Sequence, residues 1–144
     1  DMARDKYTNK VPLKPGAREF LVWLRQQGIR TGIASSNGIE LVETVLKAQG
    51  IQEYLESVHT CCEVPKGKPA PDIYLLVAKT LGVKPEECLV FEDVPMGILA
   101  GKNAGMRVCA VEDTFSASQR EEKKELADYY IESYDEIPRE RMQP

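Results

Sequence analysis

Three short stretches of this 144-residue chain carry side chains able to act on a charged substrate. The first is Ser35-Ser36-Asn37-Gly38, which leads straight into a helical pattern. Hydroxyl groups and free backbone N–H groups at a helix N-terminus suit a phosphate, although Ser and Asn serve equally as ordinary helix caps. The second is Lys66-Gly67-Lys68-Pro69-Ala70-Pro71-Asp72, where prolines beside Lys68 fix the backbone just ahead of another helix. An ammonium group aimed in this way can offset the charge of a phosphoryl group, and an exposed turn lysine would read the same. The third is Glu92-Asp93, directly after the apolar run Cys88 to Phe91. Two adjacent carboxylates are costly at the end of such a run unless something pairs with them. Oxygen ligands of this kind suit Mg²⁺, which takes one or two carboxylates and keeps several waters; a helix-capping aspartate accounts for only one of the two acids.

The elements that must position these groups alternate between helix and strand. Gly16 to Gln27 carries Ala17, Phe20, Leu21 and Leu24 at helical spacing and stops at Gly28. Thr31 to Ser35 predicts a short strand. Ile39, Val42, Val45 and Leu46 predict a second helix ending at Gly50, and Ser57 to Cys61 a second strand. Pro71 opens a third helix with Ile73, Leu76, Val77 and Leu81 on one face and Gly82 as its stop. Cys88 to Phe91, apolar throughout, predicts a fully buried strand. A short helix over Gly97 to Ala104, a buried strand over Arg107 to Val111, a charged surface helix over Ser116 to Ala127 and a strand over Tyr129 to Ile131 complete the pattern. Strands separated by single helices imply right-handed crossovers and a parallel, Rossmann-like α/β sheet. Ligands of such sheets sit beyond the C-terminal ends of the strands, where all three stretches fall.

Composition narrows the classes of function. The chain is 42% apolar and 29% charged, which fits one globular domain. Its 19 Lys and Arg against 23 Asp and Glu give a net charge of −4 with no basic stripe. That argues against nucleic acid as a partner and leaves room for a small anion, which needs only one or two local cations. No apolar run approaches the ~20 residues of a membrane span, and a cytoplasmic protein with no membrane partner is the expectation. The four cysteines form no secreted disulfide pattern, and the only histidine, His59, has no second ligand pair at zinc spacing. Buried reduced thiols and an incidental histidine are expected. The Glu121–Glu125 run reads as the solvated face of a helix.

Taken together, a hydroxyl, a lysine and an acid pair after successive parallel strands resemble motifs II, III and IV of the haloacid dehalogenase superfamily. The stretches GKPAPDIYL and LVFEDVPMGILAGKNAGM look like its β-phosphoglucomutase-like and phosphatase branch. The resemblance runs from about Val11 to Ile131. It implies that Ser35 hydrogen-bonds the transferring phosphoryl group, that Lys68 neutralises its charge, and that Glu92 and Asp93 hold Mg²⁺ directly or through water. Ser36 and Asn37 are implied as further phosphate contacts. Many relatives carry Ser or Ala where this chain has Val94, so one hydroxyl contact to the metal shell is expected to be absent.

One family element has no counterpart. The family's nucleophile is the first Asp of an Asp-x-Asp-Gly motif after an apolar N-terminal strand, and no Asp-x-Asp occurs in this sequence. Asp1 and Asp5 stand four apart with no apolar strand before them. On this resemblance, residues 1–14 are the end of a cap or a linker and residues 15–144 a partial core. The central nucleophile strand would then lie upstream, between the strands ending at Ser35 and Phe91. The expected function is a fragment of a Mg²⁺-dependent phosphohydrolase for a small phosphorylated metabolite, inactive by itself. Such a fragment would be completed by a retained upstream peptide or a strand-swapped second copy. A sugar phosphomutase on the same core and a non-catalytic binding or assembly module are the alternatives.

Overall fold

Apolar residues at helical spacing, followed by a glycine that turns the chain left-handed, account for the first four helices of the computed structural model, which describes residues 16–35, 38–113 and 118–136. Helix α1 (Ala17–Gln26) buries Phe20 and Leu24. Helix α2 (Ile39–Gln49) buries Val42 and Leu46 and ends at Gly50. Helix α3 (Asp72–Leu81) ends at Gly82, whose φ of 72° would strain a residue with a Cβ. Helices α4 (Pro95–Asn103) and α5 (Arg120–Leu126) follow. Between them run β1 (Gly32–Ser35), β2 (Ser57–Thr60), β3 (Leu89–Glu92), β4 (Arg107–Val111) and β5 (Tyr129–Ile131).

All the pairings are parallel, as the alternation of elements requires. β1 lies on β2 with Ser35 opposite Thr60; β3 lies on β4 with Glu92 opposite Ala110; β4 lies on β5. These make a two-stranded and a three-stranded sheet, and among the described residues no pairing joins β1 to β3. The division falls where the family's central strand was expected. A cleft of about 1710 Å³ lies there, lined by every residue of both strands. Successive residues of a strand face opposite sides, and the two sides of β3 are covered by different helices. Val90 belongs to a cluster with Ile73, Tyr74 and Ala78 of α3. Phe91, on the other side, meets Phe20 of α1 edge to face, with ring centroids 5.3 Å apart. Leu21 of α1 also packs with Ile33 of β1 and Val42 of α2, and Ala34 of β1 packs with the α3 cluster. Helices α1 and α3 therefore clasp the two sheets from opposite faces of the cleft.

Several expectations are corrected. β3 is not fully buried: only Val90 is, while Leu89 and Phe91 are half-buried, because one edge of the strand faces the cleft. The buried face of α3 is Ile73, Tyr74, Ala78 and Leu81, with Leu76 and Val77 half-buried. Helix α4 starts at Pro95, two residues before Gly97, because proline suits the first turn. The charged helix is described from Arg120, and Ser116 lies outside the described residues. Its Glu121–Glu125 run is not wholly solvated. Lys123 is 0% exposed, and its Nζ donates to the carbonyl of Val111 at 2.7 Å, which satisfies a buried polar group. None of the four cysteines is joined in a disulfide, but Cys62 is exposed and only Cys109 is buried. His59 is not incidental: Nδ1 lies 3.0 Å from Glu63 Oε1 and Nε2 lies 2.8 Å from Thr80 Oγ1, tying β2 and its following turn to α3. Residues 1–14, Ser36 and Asn37 lie outside the described residues.

Candidate active site

The C-terminal ends of β1 and β3 stand on either side of the cleft, and Lys68 reaches both. Its Nζ donates to the carbonyl of Ala34 at 3.3 Å and to Glu92 Oε2 at 2.9 Å. Ala34 immediately precedes Ser35 and Glu92 immediately precedes Asp93, so one ammonium group ties together the strand ends that carry the hydroxyl and the acid pair. Ser35, Lys68, Glu92 and Asp93 all line the cleft. The backbone of the lysine loop is held at the next residue, where Asn103 Nδ2 of α4 donates to the carbonyl of Pro69 at 3.0 Å.

Glu92 is the hub of the arrangement. Tyr74 donates its phenolic proton to Glu92 Oε2 at 2.6 Å, the same oxygen that accepts from Lys68. Lys68 Nζ also lies 5.1 Å from the Tyr74 ring centroid, close enough for a cation–π contact. The backbone N–H of Asp93 donates to Glu92 Oε1 at 3.2 Å. Lys68 and Glu92 are each only 11% exposed, so their attraction is less screened than that of a surface pair. Burial alone would raise the Glu92 carboxyl. The Lys68 charge and the hydrogen bonds from Tyr74, Lys68 and the Asp93 N–H outweigh it and hold the group below the ordinary carboxylate value. Burial, followed by the neighbouring Glu92 charge, pushes the Tyr74 phenol up, so it stays a proton donor.

Gly97 explains how a glutamate fits here. A Cβ at this position in α4 would lie 2.1 Å from Glu92 Cδ, so the carboxylate lies across a bare patch of the helix that only glycine leaves open. Tyr74, Gly97 and Asn103 escaped the sequence reading. Tyr74 stands four residues before the buried Ala78 at helical spacing, which marks it as buried but not as a donor to Glu92. Nothing local in the sequence marks Gly97 or Asn103. Among the described residues no group of three or more His, Cys, Asp or Glu side chains gathers into a metal site, and none of the helices is long and apolar enough to cross a membrane.

A family model for haloacid dehalogenase-like hydrolases matches residues 3–105. The chain belongs to that family. The putative phosphatase YhcW of Bacillus subtilis is 41% identical over 98 residues, 68% of this chain and 44% of that protein. Hexitol phosphatase B of Escherichia coli is 32% identical over 126 residues, 88% of this chain and 56% of that protein. The crystal structure of CbbY from Rhodobacter sphaeroides in complex with xylulose-(1,5)bisphosphate superposes with a TM-score of 0.82 at 28% identity, covering 90% of this chain and 58% of that one. The chain spans about half the length of the curated relatives it matches. Haloacid dehalogenase-like membership, the phosphatase branch and the α/β fold with parallel strands thus agree with the reading of the sequence.

Proposed function

We propose that this chain forms most of the core of a phosphohydrolase for a small phosphorylated metabolite. The observation that carries the reading is the Lys68 ammonium, held at the sheet's C-terminal edge between the carbonyl next to Ser35 and the carboxylate next to Asp93. A phosphoryl group entering there would meet a cation within reach of both strand ends, with the Ser35 hydroxyl as a further donor. Ser36 and Asn37 would add contacts from the loop leading into α2.

A magnesium ion fits the oxygen donors of this edge in part. Glu92 Oε2 already accepts two hydrogen bonds, so Asp93 is the acid to hold the ion directly, with Glu92 acting through water. When bound, the ion supplies charge neutralisation to the phosphoryl oxygens. The resemblance supplies the covalent step. An aspartate from a segment outside this sequence attacks phosphorus, and the bond from phosphorus to the leaving alcohol breaks. Water then cleaves the aspartyl phosphate to free phosphate and the carboxylate. The cleft between β1 and β3 would take the strand that carries this aspartate, from the upstream chain or from a swapped second copy. A cytoplasmic location is part of the same reading.

The test is to express the chain together with the residues that precede it in its gene and assay phosphomonoesters with Mg²⁺. Release of inorganic phosphate by the longer protein, lost with Lys68→Met and absent from the 144-residue chain, is the expected result. Phosphoryl transfer back to a sugar without phosphate release would make the protein a phosphomutase. No turnover from the longer protein would make it a binding or assembly module.

A further inference from the structure

We propose that Tyr74 is a positioning residue that keeps Lys68 available to an incoming phosphoryl group by sharing the carboxylate oxygen to which Lys68 is bonded. The inference rests on the phosphoryl-site reading above and deepens it. A lysine in a nearly dry pair with a glutamate has its charge largely spent on that partner, and a second anion must compete for it. Here the partner oxygen is not the lysine's alone. Glu92 Oε2 accepts from Lys68 Nζ at 2.9 Å and from Tyr74 Oη at 2.6 Å, the tyrosine bond being the shorter. Oε1 cannot swing in as a replacement partner without leaving the Asp93 N–H, which donates to it at 3.2 Å. The side chain also lies across Gly97 with no room to move toward α4. Two neutral donors and one packing surface thus fix the carboxylate while drawing on its charge, and the ammonium is left under-compensated at the mouth of the cleft.

Tyr74 suits this task better than a second cation would. It is neutral, it is 7% exposed, and it sits on the first turn of α3 immediately after the lysine loop. Its ring face lies 5.1 Å from Lys68 Nζ, so the same side chain supports the ammonium from one side and loads its counter-ion from the other. These two roles separate experimentally. Tyr74→Phe keeps the ring and removes only the donor; Tyr74→Leu removes both.

The probe is inorganic phosphate without added metal, titrated into the 144-residue chain by calorimetry, with thermal melting as the control for folding. Wild-type chain binds phosphate and Lys68→Met does not. Tyr74→Phe is expected to weaken phosphate binding by about three- to ten-fold, less than the full worth of a hydrogen bond to a charged group because the tyrosine acts on Lys68 only through the shared carboxylate. Tyr74→Leu is expected to weaken it further. In a Glu92→Ala background, where no carboxylate remains to share, Tyr74→Phe should leave the phosphate affinity unchanged; a merely structural tyrosine would have the same effect in both backgrounds. Lysine-dependent binding that Tyr74→Phe leaves unaltered or tightens overturns the inference alone. Absent binding, or binding indifferent to Lys68→Met, overturns the phosphoryl-site reading and the inference with it. Should Tyr74→Phe fail to fold, Tyr74→Leu decides the matter: its loss of affinity must be smaller in the Glu92→Ala background than in wild type, the remainder being the ring's own contact with Lys68, and an equal loss in both backgrounds overturns the inference.

Discussion

Replacing Gly97 by alanine sets helix propensity against packing, and the structure says which should win. Alanine is the better helix former by about 1 kcal/mol, so on an open helix face the change would stabilise the chain. At this position the new methyl carbon would stand 2.1 Å from Glu92 Cδ and 2.3 Å from both Glu92 Cγ and Oε2. Contacts this short do not persist, and Glu92 must move. Overpacking by one carbon costs about 1–3 kcal/mol. Moving the carboxylate also loosens its bonds to Lys68 and Tyr74, and hydrogen bonds to a charged group contribute about 1.5–3 kcal/mol each. With the pair only 11% exposed, little of that loss is recovered from solvent. After the gain in propensity, a net destabilisation of about 2 kcal/mol is expected.

For a chain of this length that corresponds to a fall in melting temperature of roughly 8 °C, readable by calorimetry or circular dichroism. Gly101→Ala is the matched control on the same helix. Its Cβ would press on Val108 Cγ2 at 2.6 Å, so it too should lower the melting temperature, but it touches no polar partner of the site. Gly97→Ala should weaken phosphate binding and Gly101→Ala should not. A Gly97→Ala chain that melts at or above wild type and binds phosphate equally well would refute the argument that Glu92 is packed against α4.

Three further outcomes follow from the same contacts. Lys68→Met should abolish phosphate binding and lower stability by about 3 kcal/mol, because it leaves a nearly buried carboxylate with the Tyr74 hydroxyl as its main partner; a variant as stable as wild type would show that the pair is solvated. Asp128 is held below its usual 3.8 chiefly by its bond from Lys102, which with the Val108 N–H and the Lys102 charge outweighs the opposing effect of burial. Its contribution is therefore complete above pH 3.8 and lost as the pH falls through the lower folded value, so Asp128→Asn should flatten the acid limb of melting temperature against pH. Native-state labelling with a maleimide should modify exposed Cys62 first and spare Cys109, which is buried and whose thiol is pushed up to about 11 mainly by that burial; rapid labelling of Cys109 would mean that β4 opens.

Much of the fold was legible in the sequence because the signals that set it are local. The helices α1, α2 and α3 end at glycines that the chain itself displays, and the strands fall between them almost residue for residue. The candidate residues Ser35, Lys68, Glu92 and Asp93 could be picked out for the same reason, since each ends or follows a strand or precedes a helix by a few positions, and the structure brings all four to one cleft. What the sequence withheld depends on distance through space. Lys123 looks like one more charge in a solvated run until β4 brings the Val111 carbonyl to its end. Tyr74 looks like a core residue until Glu92, eighteen positions later, folds back onto its hydroxyl. The half-exposure of Leu89 and Phe91 arises because β3 is an edge strand among the described residues and that edge faces the cleft.

That open edge and the proposed site are connected. Alternate N–H and C=O groups of β1 and β3 point toward the cleft, and a buried backbone group without a partner costs about 1–3 kcal/mol. Helices α1 and α3 hold the two sheets in place by side-chain contact, and Lys68 is the polar link between the strand ends. A strand entering the cleft parallel to its neighbours would face the apolar residues of α1 on one side and of α3 on the other, so it should be apolar along its whole length. Its C-terminal end would emerge beside Lys68, Ser35 and Asp93. In the proposed phosphohydrolase, pairing of the sheet and arrival of the reacting group are then a single event, and the stability of the core and its activity should rise together as the strand binds.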